Sequence, residues 1–356
     1  MLAAVASVAV LACAGMNPAA AEMSFKGKRV ELIIASDAGG GTDRVGRLVA
    51  QYLEKYLPGK PTIVTKNMGA GGGKIRAANY LMKAKPDGLT FMQSDTTIVQ
   101  PSTLERKSAR FDPKKFSIIG SINRGGSVLF VRKDAVKRLL GLVVKPVIVA
   151  AISGTRSWQA MPMWGAEFLG WNVRWIPGYK GSGQMTKAIR QGEVDCFATN
   201  NAYIIDELVK DGVIELVVQE GQREKSVFVP RPTYPKVRPM AALLQAKKIP
   251  KVAWQGFQSI MAPSQIDKWM ALPPGTPKDI VKTYRDAYGK AVKDPAFLKI
   301  AKKQISGEIY YLTGEEVTDM IREVHDVPKA ALEYADELKR KYGLLSFKKK
   351  KKKKKK

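Results

Sequence analysis

An apolar strand that runs into a glycine turn and then into an amphipathic helix constrains this chain most, because the pattern occurs twice in succession. Residues 34–56 read IASDAGGGTDRVGRLVAQYLEKY, and residues 62–84 read TIVTKNMGAGGGKIRAANYLMKA. Glycine accepts positive φ angles and close backbone approach, so successive amides in such a turn are able to face an anion. The helix that follows adds the positive end of its dipole. The repeated turn therefore predicts one anionic ligand held from two sides.

Strands and helices alternate over the first part of the chain, which predicts a parallel sheet. The alternation starts afresh near Ser127, and 356 residues are enough for two lobes. The sequence thus predicts an α/β protein with two doubly wound lobes and a ligand cleft between them. Lobe 1 is expected at residues 23–125 together with 253–347, and lobe 2 at residues 126–252. Ligands of such sheets bind outside the carboxyl ends of the strands, where both glycine turns lie.

Residues 1–22 are almost wholly apolar and include three consecutive alanines near their end, as a secretory signal peptide does. We expect cleavage before Glu22 and a periplasmic protein. Two alternatives stay open, a disordered or buried N-terminal helix and a lipid anchor at Cys13. Removal of the segment would leave Cys196 as the one cysteine, which excludes an internal disulfide and a cysteine-based zinc site.

The formal charge of +28 raises the alternative of nucleic-acid binding. Nine of the positive charges belong to the lysine tail at residues 348–356, which we expect to be disordered, and without them the charge is +19. The other lysines and arginines are mixed with acidic residues, a pattern typical of solvated helix faces. Because no recognition motif accompanies them, we expect a small-molecule ligand and no nucleic-acid partner.

Signatures of catalysis and of bound cofactors are missing from the sequence. His325 is the only histidine and lies in a charged helix, so no histidine is expected in the cleft. The second turn departs from a phosphate-binding loop, because Ile75 follows Lys74 where a magnesium-binding hydroxyl is required. We expect no cofactor, no metal site and no catalytic residue. The alternative is an enzyme that acts on a small carboxylate or phosphate in the same cleft with Asp, Lys and Tyr side chains.

Several segments of the chain resemble the Bug-type extracytoplasmic receptors of tripartite tricarboxylate transporters. The resemblance rests on AGGGTDR, NMGAGGGK, IPGYKGSGQMTKAIRQGEVDCF and PPGTPKDIVKTYRDAYGKAVKDPAFL, and it runs from about residue 28 to residue 342. It implies a periplasmic-binding-protein-like fold that closes around a small carboxylate. It also implies that a monomeric receptor delivers this carboxylate to integral-membrane permease subunits.

The resemblance further implies which residues hold the ligand, through loop amides and ordered waters in lobe 1 and through a variable second lobe. In lobe 1 these residues are Ala38, Gly39, Gly40 and Asp43 of the first turn, Gly69, Ala70, Gly71 and Gly72 of the second turn, and Ser94 and Thr96 after the third strand. In lobe 2 they are Ser153, Thr155, Ser157, Tyr179, Lys180, Gly181, Ser182 and Asp195. Arg156 would suit a second carboxylate, and core packing is the alternative role for Tyr179.

The chain departs from the family pattern in three places. Asp37 and Met68 stand where the family usually has prolines in the two turns. Residues 258–271, QSIMAPSQIDKWMA, form an extra segment before PPGTP. Asp37 adds negative charge beside the expected anion site, so the sequence leaves the identity of the ligand open.

Overall fold

The computed structural model describes residues 24–344 apart from 70–71, 142–144, 153–156, 180 and 225–226, and it leaves out the side chains of 102, 157 and 158. The expectations for the signal segment, for Cys13 and for the lysine tail lie outside the described residues. Within the described part of the chain, no helix has the length and apolar character needed to cross a membrane.

The described residues form two sheets, a short hairpin and the helices that cover them. The strands are β1 Arg29–Ile34, β2 Thr62–Asn67, β3 Thr90–Asp95, β4 Ser117–Asn123, β5 Val128–Arg132, β6 Val147–Ala151, β7 Val173–Pro177, β8 Cys196–Thr199, β9 Ile214–Gln219, β10 Gln222–Glu224, β11 Val227–Val229, β12 Lys268–Leu272 and β13 Tyr310–Thr313. The α-helices are α1 Gly41–Tyr56, α2 Gly73–Leu81, α3 Thr96–Val99, α4 Pro101–Leu104, α5 Val136–Leu139, α6 Ser157–Leu169, α7 Ser182–Arg190, α8 Ala202–Lys210, α9 Met240–Ala246, α10 Lys251–Met261, α11 Lys278–Lys293, α12 Pro295–Gln304, α13 Gly314–His325 and α14 Lys329–Lys341.

The first sheet has the strand order β13-β4-β12-β3-β1-β2. Its strands β1, β2 and β3 are parallel, as the sequence predicts, whereas β12 and β13 run antiparallel to their neighbours. Strand β1 is buried on both faces: Leu32 and Ile34 pack in the layer of α1 and α11, and Ile33 packs in the layer of α2 and α13. Helices therefore cover both faces of this sheet, which gives the first lobe its α/β architecture.

The second sheet has the order β7-β6-β8-β5-β9. Strand β6 is parallel to β7 and β8, and β5 runs antiparallel to β8 and β9. One apolar layer contains Trp164 of α6, and the other contains Ile189 of α7. This sheet and its helices form the second lobe, so the predicted two-lobed α/β fold is confirmed.

The packing divides residues 253–347 differently from the sequence prediction, which gave all of them to lobe 1. Phe257 of α10 and Leu338 of α14 are buried in the same apolar layer as Trp164 of the second lobe. Helices α11 and α13 instead pack on the first sheet through residues such as Tyr284 and Ile321. The apolar face of α10 packs in the second lobe, so the chain passes over that lobe before it returns to the first sheet through β12.

Residues 258–271, read from the sequence as an extra segment, belong to the centre of the first sheet. They contain the end of α10 and most of β12, whose five residues are all buried between β3 and β4. Trp269 is fully buried there, and its Nε1 donates a 3.1 Å hydrogen bond to Asp95 O. The segment is therefore an essential part of the sheet beside the site, and it is no peripheral addition.

Candidate functional site

The carboxyl ends of β1, β2 and β3 meet at one edge of the first sheet. Ile34 pairs with Asn67 of β2 and with Gln93 of β3, so the three strands end nearly level with one another. The two glycine turns and the corner after Asp95 are therefore neighbours. This is the edge at which the sequence predicts binding.

Asp43 fixes the first turn from the start of α1. Its Oδ2 accepts a 2.8 Å hydrogen bond from the Gly39 amide, and its Oδ1 accepts bonds from Asn67 Nδ2 at 2.8 Å and from Arg47 Nε at 2.9 Å. Burial disfavours the charged carboxylate, but these bonds together hold the pKa of Asp43 below its usual value. The side chain of Asp43 is buried and shapes the turn, so the backbone amides are the groups that remain to meet a ligand.

The leading amides of α1 stay open at this edge. Gly40 is the N-cap residue and supplies no side-chain cap, while the Thr42 hydroxyl donates to Asp95 Oδ2 at 3.2 Å. Among the described residues, a Cβ built on Gly40 would have only Asp37 O within 4 Å, at 3.5 Å. The described part of the chain therefore leaves the Cβ position of Gly40 open at a helix N-terminus, where an anion is favoured.

The second turn packs directly against the first. A Cβ built on Gly69 would lie under 3.0 Å from Asp37 N, from Asp37 Oδ1 and from the carbonyl carbon of Ser36, so only glycine lets the turns touch here. Gly72, with φ 83°, is the N-cap of α2 and likewise supplies no side-chain cap. Two uncapped helix N-termini thus lie next to each other. Ala70 and Gly71, also expected to bind the ligand, lie outside the described residues.

The carboxylate of Asp95 connects the two turns. Its Oδ2 accepts hydrogen bonds from Thr42 of the first helix and from Lys74 Nζ of the second, and its Oδ1 accepts the Thr97 amide at 3.0 Å. Burial disfavours its charge, but the nearby ammonium groups of Lys74 and Lys268 hold the pKa of Asp95 below its usual value. Asp95 therefore stays charged and fixes both turns at one point.

A second ion-pair group continues from Asp95 towards the connection between the lobes. Asp267 accepts Arg124 Nε at 2.6 Å and Lys268 Nζ at 2.7 Å. Burial again opposes the negative charge, but Arg124 and Lys268 hold the pKa of Asp267 well below its usual range. Arg124 also feels the charge of Asp95. Five charged side chains thus form one continuous cluster along the cleft edge of the first lobe.

A cavity of about 500 Å³ opens beside the two turns. It is lined by Asp37, Ala38, Asn67, Met68, Gly69, Arg76 and Tyr80. Two of these residues, Ala38 and Gly69, belong to the set expected from the sequence. The volume falls within the range of small-molecule sites, but the described lining of this cavity does not include Gly40, Gly72 or Lys74.

The two residues expected on the floor of the site are less accessible than predicted. Ser94 is fully buried in β3, and its Oγ has no hydrogen-bond partner. Thr96 is half-buried and donates its hydroxyl to Ile266 O at 3.2 Å. Because side chains alternate along a strand, Ser94 and Asp95 point to opposite faces of the first sheet. Asp95 is the last residue of β3, and its side chain reaches the loop edge.

The carboxyl ends of β6, β7 and β8 mark the corresponding edge of the second lobe. Gly181 is the N-cap of α7 without a side-chain cap, and Ser182 is the first residue of that helix. Ser157 begins α6 at the same edge. The expected ligand residues Ser153, Thr155 and Lys180, together with Arg156, lie outside the described residues.

Tyr179 follows β7 at this edge, but its side chain turns into the lobe. The ring is 7% exposed and packs with Met185 and Ile189 of α7, and the hydroxyl donates to Glu193 Oε1 at 2.7 Å. Burial and the Glu193 carboxylate raise the pKa of Tyr179 to about 12. Tyr179 therefore packs in the core of the second lobe, which is the role that the sequence left open as an alternative to ligand binding.

Asp195 lies at the opposite edge of the second sheet from the other expected residues. It precedes β8, and its Oδ2 accepts the amide of Ile148 near the start of β6 at 2.9 Å, while Oδ1 accepts Arg138 at 2.6 Å. The carboxyl ends of these strands, Ala151 and Thr199, lie away from it. The expectation of ligand contact is therefore wrong for Asp195, because the family motif marks a structural corner at this position.

The sequence reading missed Lys74, Asp95, Lys268 and the Thr199–Asn201 corner. Thr199 ends β8 at the edge that faces the cleft, and Asn201 caps α8 by accepting the Tyr203 amide at 3.1 Å. A polar run directly after a buried strand, as in ATNN, is the signal that predicts such a corner. No comparable local signal connects Lys74 with Asp95.

Reactive groups are scarce among the residues that the structure describes. No group of three or more His, Cys, Asp or Glu side chains there is placed to hold a metal ion. Cys196 is buried in β8, and burial raises the pKa of its thiol well above its usual range.

Two α/β lobes with uncapped helix N-termini at the cleft edge of the first lobe define the class of two-lobed solute-binding proteins. A TctC solute-binding protein from Polaromonas has the same fold, with a TM-score of 0.66 and 20% identity over 89% of this chain and 100% of that chain. A protein of R. palustris whose structure contains adipate is similar at a TM-score of 0.57 and 20% identity, over 88% of this chain and 97% of that chain. A UPF0065 protein from the TAR-I ttuE-ttuC' intergenic region of Agrobacterium vitis is 26% identical, over 82% of this chain and 80% of its own.

The family follows from the sequence itself. Residues 45–333 match the model of the TctC family, described as the tripartite tricarboxylate transporter family receptor, and the chain belongs to that family. It is a solute-binding receptor and not an enzyme. Receptors of this family are periplasmic, take carboxylates and work with membrane transporter partners.

Proposed function

We propose that this receptor captures a small organic acid and holds one carboxylate between the two uncapped helix N-termini of its first lobe. The observation that carries the proposal is the contact of the two turns at Gly69, which brings the starts of α1 and α2 together. Each helix N-terminus favours an anion by a few tenths to about 2 kcal/mol. The adipate in the R. palustris relative supports an acid of this kind as the ligand.

The first lobe would contribute the amides around Gly40 and Gly72, and the second lobe would close over the far end of the ligand from the Gly181–Ser182 edge. A ligand that touches both lobes binds the closed state better and so shifts the protein towards closure. We further propose that the receptor is a monomer. Its N-terminal segment would serve as the export signal, which is cleaved before Glu22.

A thermal-shift screen of the whole chain tests the proposal. The panel contains adipate, malate, citrate and succinate as acids, inorganic phosphate, and a short oligonucleotide. A ligand present at a thousand times its dissociation constant stabilises the folded protein by about 4 kcal/mol. A rise in melting temperature with at least one acid is expected, and a response to the oligonucleotide alone would overturn the proposal.

The variant Gly40→Val then tests the location. Gly40 has φ −72° and ψ 167°, which valine adopts readily, and among the described residues its Cβ would meet only Asp37 O, at 3.5 Å. The variant should therefore fold and lose most of its affinity, because the side chain fills the space before the amides. Gly289→Val on the outer helix α11 is the matched control, since in the described part of the chain its Cβ would meet only Tyr311 Oη at 3.6 Å. Full affinity of Gly40→Val by calorimetry would contradict the proposed site.

A further inference from the structure

Counted over the residues that the structure describes, the ammonium group of Lys74 has one hydrogen-bond donor left for a ligand. Lys74 Nζ donates to Asp95 Oδ2 and lies 3.3 Å from Thr97 Oγ1. An ammonium group carries three N–H donors, so these two partners leave one. The side chain is 35% exposed, whereas its partner Asp95 is 12% exposed. The ammonium group is therefore within reach of solvent, whereas the carboxylate that it pairs with is largely buried.

The charges of the surrounding cluster sum to +1 among the residues that the structure describes. Lys74, Lys268 and Arg124 are the cations, each in an ion pair, and Asp95 and Asp267 are the two anions that they share. Of the three cations, Lys74 is the most exposed, at 35% against 25% for Arg124 and 8% for Lys268. A ligand anion at Lys74 would neutralise the net charge of the cluster.

We infer that Lys74 determines the charge specificity of the site by donating its third N–H to a carboxylate oxygen of the bound ligand. The inference rests on the proposed function and goes beyond it, because backbone amides and ordered waters bind neutral ligand groups as well as charged ones. A fixed ammonium group favours a fully ionised carboxylate over an amide or ester of the same shape. The ligand class is therefore an acid that is ionised at the pH of binding.

Asp95 acts as the positioning residue for this contact. It holds the Lys74 ammonium on one side and the Thr42 hydroxyl at 3.2 Å on the other, so the charge stays beside both helix N-termini. Lys268 also stabilises the Asp95 carboxylate. Asp95 itself is buried and keeps its oxygens turned to these groups, so it presents little negative charge to the ligand.

The test compares Lys74→Met with the native chain, using the acid of the panel that binds the native protein most tightly and the full amide of that acid, in which every carboxyl group is converted to an amide. Loss of a hydrogen bond to a charged group should weaken binding of the acid about 10- to 100-fold. Binding of the full amide, which has no ionised carboxylate, should change much less, so the preference for the acid should largely disappear. Lys74→Arg keeps the charge and should recover part of the preference. Lys282→Met, on α11 with a side chain 76% exposed, removes the same formal charge far from the turns and should bind as the native chain does.

A structural role of Lys74 is separated from ligand contact by the ratio of the affinities for the acid and for its full amide, which a loss of stability alone does not change. If Lys74→Met does not fold, the double variant Lys74→Met with Asp95→Asn removes the carboxylate that would otherwise lose a partner. An unchanged ratio in a folded variant would overturn the inference and leave the proposed receptor function intact. If no acid stabilises the native protein, both the function and the inference are wrong.

Discussion

The contact between the two turns can be tested by the substitution Gly69→Ala. The added Cβ would lie under 3.0 Å from the backbone nitrogen of Asp37 and from the carbonyl carbon of Ser36. These are backbone atoms, and the Ser36 carbonyl is held by Asn67 Nδ2 at 3.1 Å, so the first turn has little freedom to retreat. Overpacking of this kind costs about 1–3 kcal/mol. In a lobe of this size, 2 kcal/mol corresponds to a fall in melting temperature of about 4–8 °C.

Urea and thermal unfolding would measure the effect, with calorimetry of ligand binding alongside. We expect weaker binding as well as lower stability, because separation of the turns moves the two helix N-termini apart. Gly289→Ala on α11 is the control, since among the described residues its Cβ would have one ordinary contact, with Tyr311 Oη at 3.6 Å. If Gly69→Ala matched the native protein within about 0.5 kcal/mol, the size of a neutral surface change, the reasoning about turn contact would be refuted.

Two further predictions concern buried charges. Arg231 is fully buried and pairs with Glu308 at 2.7 Å, so Arg231→Met should lower the free energy of unfolding by about 3–5 kcal/mol in urea titrations, and a joint change of Glu308 to Gln should restore part of it. Equal stability of the single variant and the native chain would refute this. The pKa values of Asp43, Asp95 and Asp267 in the folded protein lie below their usual values. Their contribution to the free energy of unfolding is therefore fully present above the unfolded pKa of about 4 and is lost as the pH falls through the folded pKa values. The urea concentration at the unfolding midpoint should therefore decrease when the pH is lowered below about 4. Asp267→Asn should make this decrease smaller, and an unchanged pH profile of the variant would contradict the prediction.

The glycine turns could be predicted from sequence because their signals are local. Glycines between an apolar strand and a helix of period 3.6 specify a turn at the carboxyl end of a strand, and the structure has both turns there. The contact between Lys74 and Asp95 could not be predicted, because it joins positions 21 residues apart through the packing of three strands. Ser94 and Thr96 are predicted from their place at the end of the third strand, and only the pleat of β3 decides which side chain reaches the edge.

Two other expectations failed for a different reason. Asp195 matches a family motif, but the motif does not say which end of the second sheet its corner occupies, and the hydrogen bond to Ile148 settles that. Residues 258–271 departed from the family pattern and so were read as an addition, although β12 is needed between β3 and β4. The resemblance in sequence was enough to predict the class of protein, whereas the placement of single side chains required the registers of the two sheets.

The central position of β12 has a consequence for how the chain is made. Strands β3 and β4 are synthesised early, and the strand that lies between them, Lys268–Leu272, follows only after the whole second sheet. Until then the neighbouring edges of β3 and β4 have no hydrogen-bond partner, and open edges of this kind invite pairing with other chains. A nascent or truncated chain that ends before Lys268 is therefore unable to complete its first lobe, so the polypeptide must be kept from aggregating until Lys268–Leu272, about three-quarters of the way along the chain, has emerged.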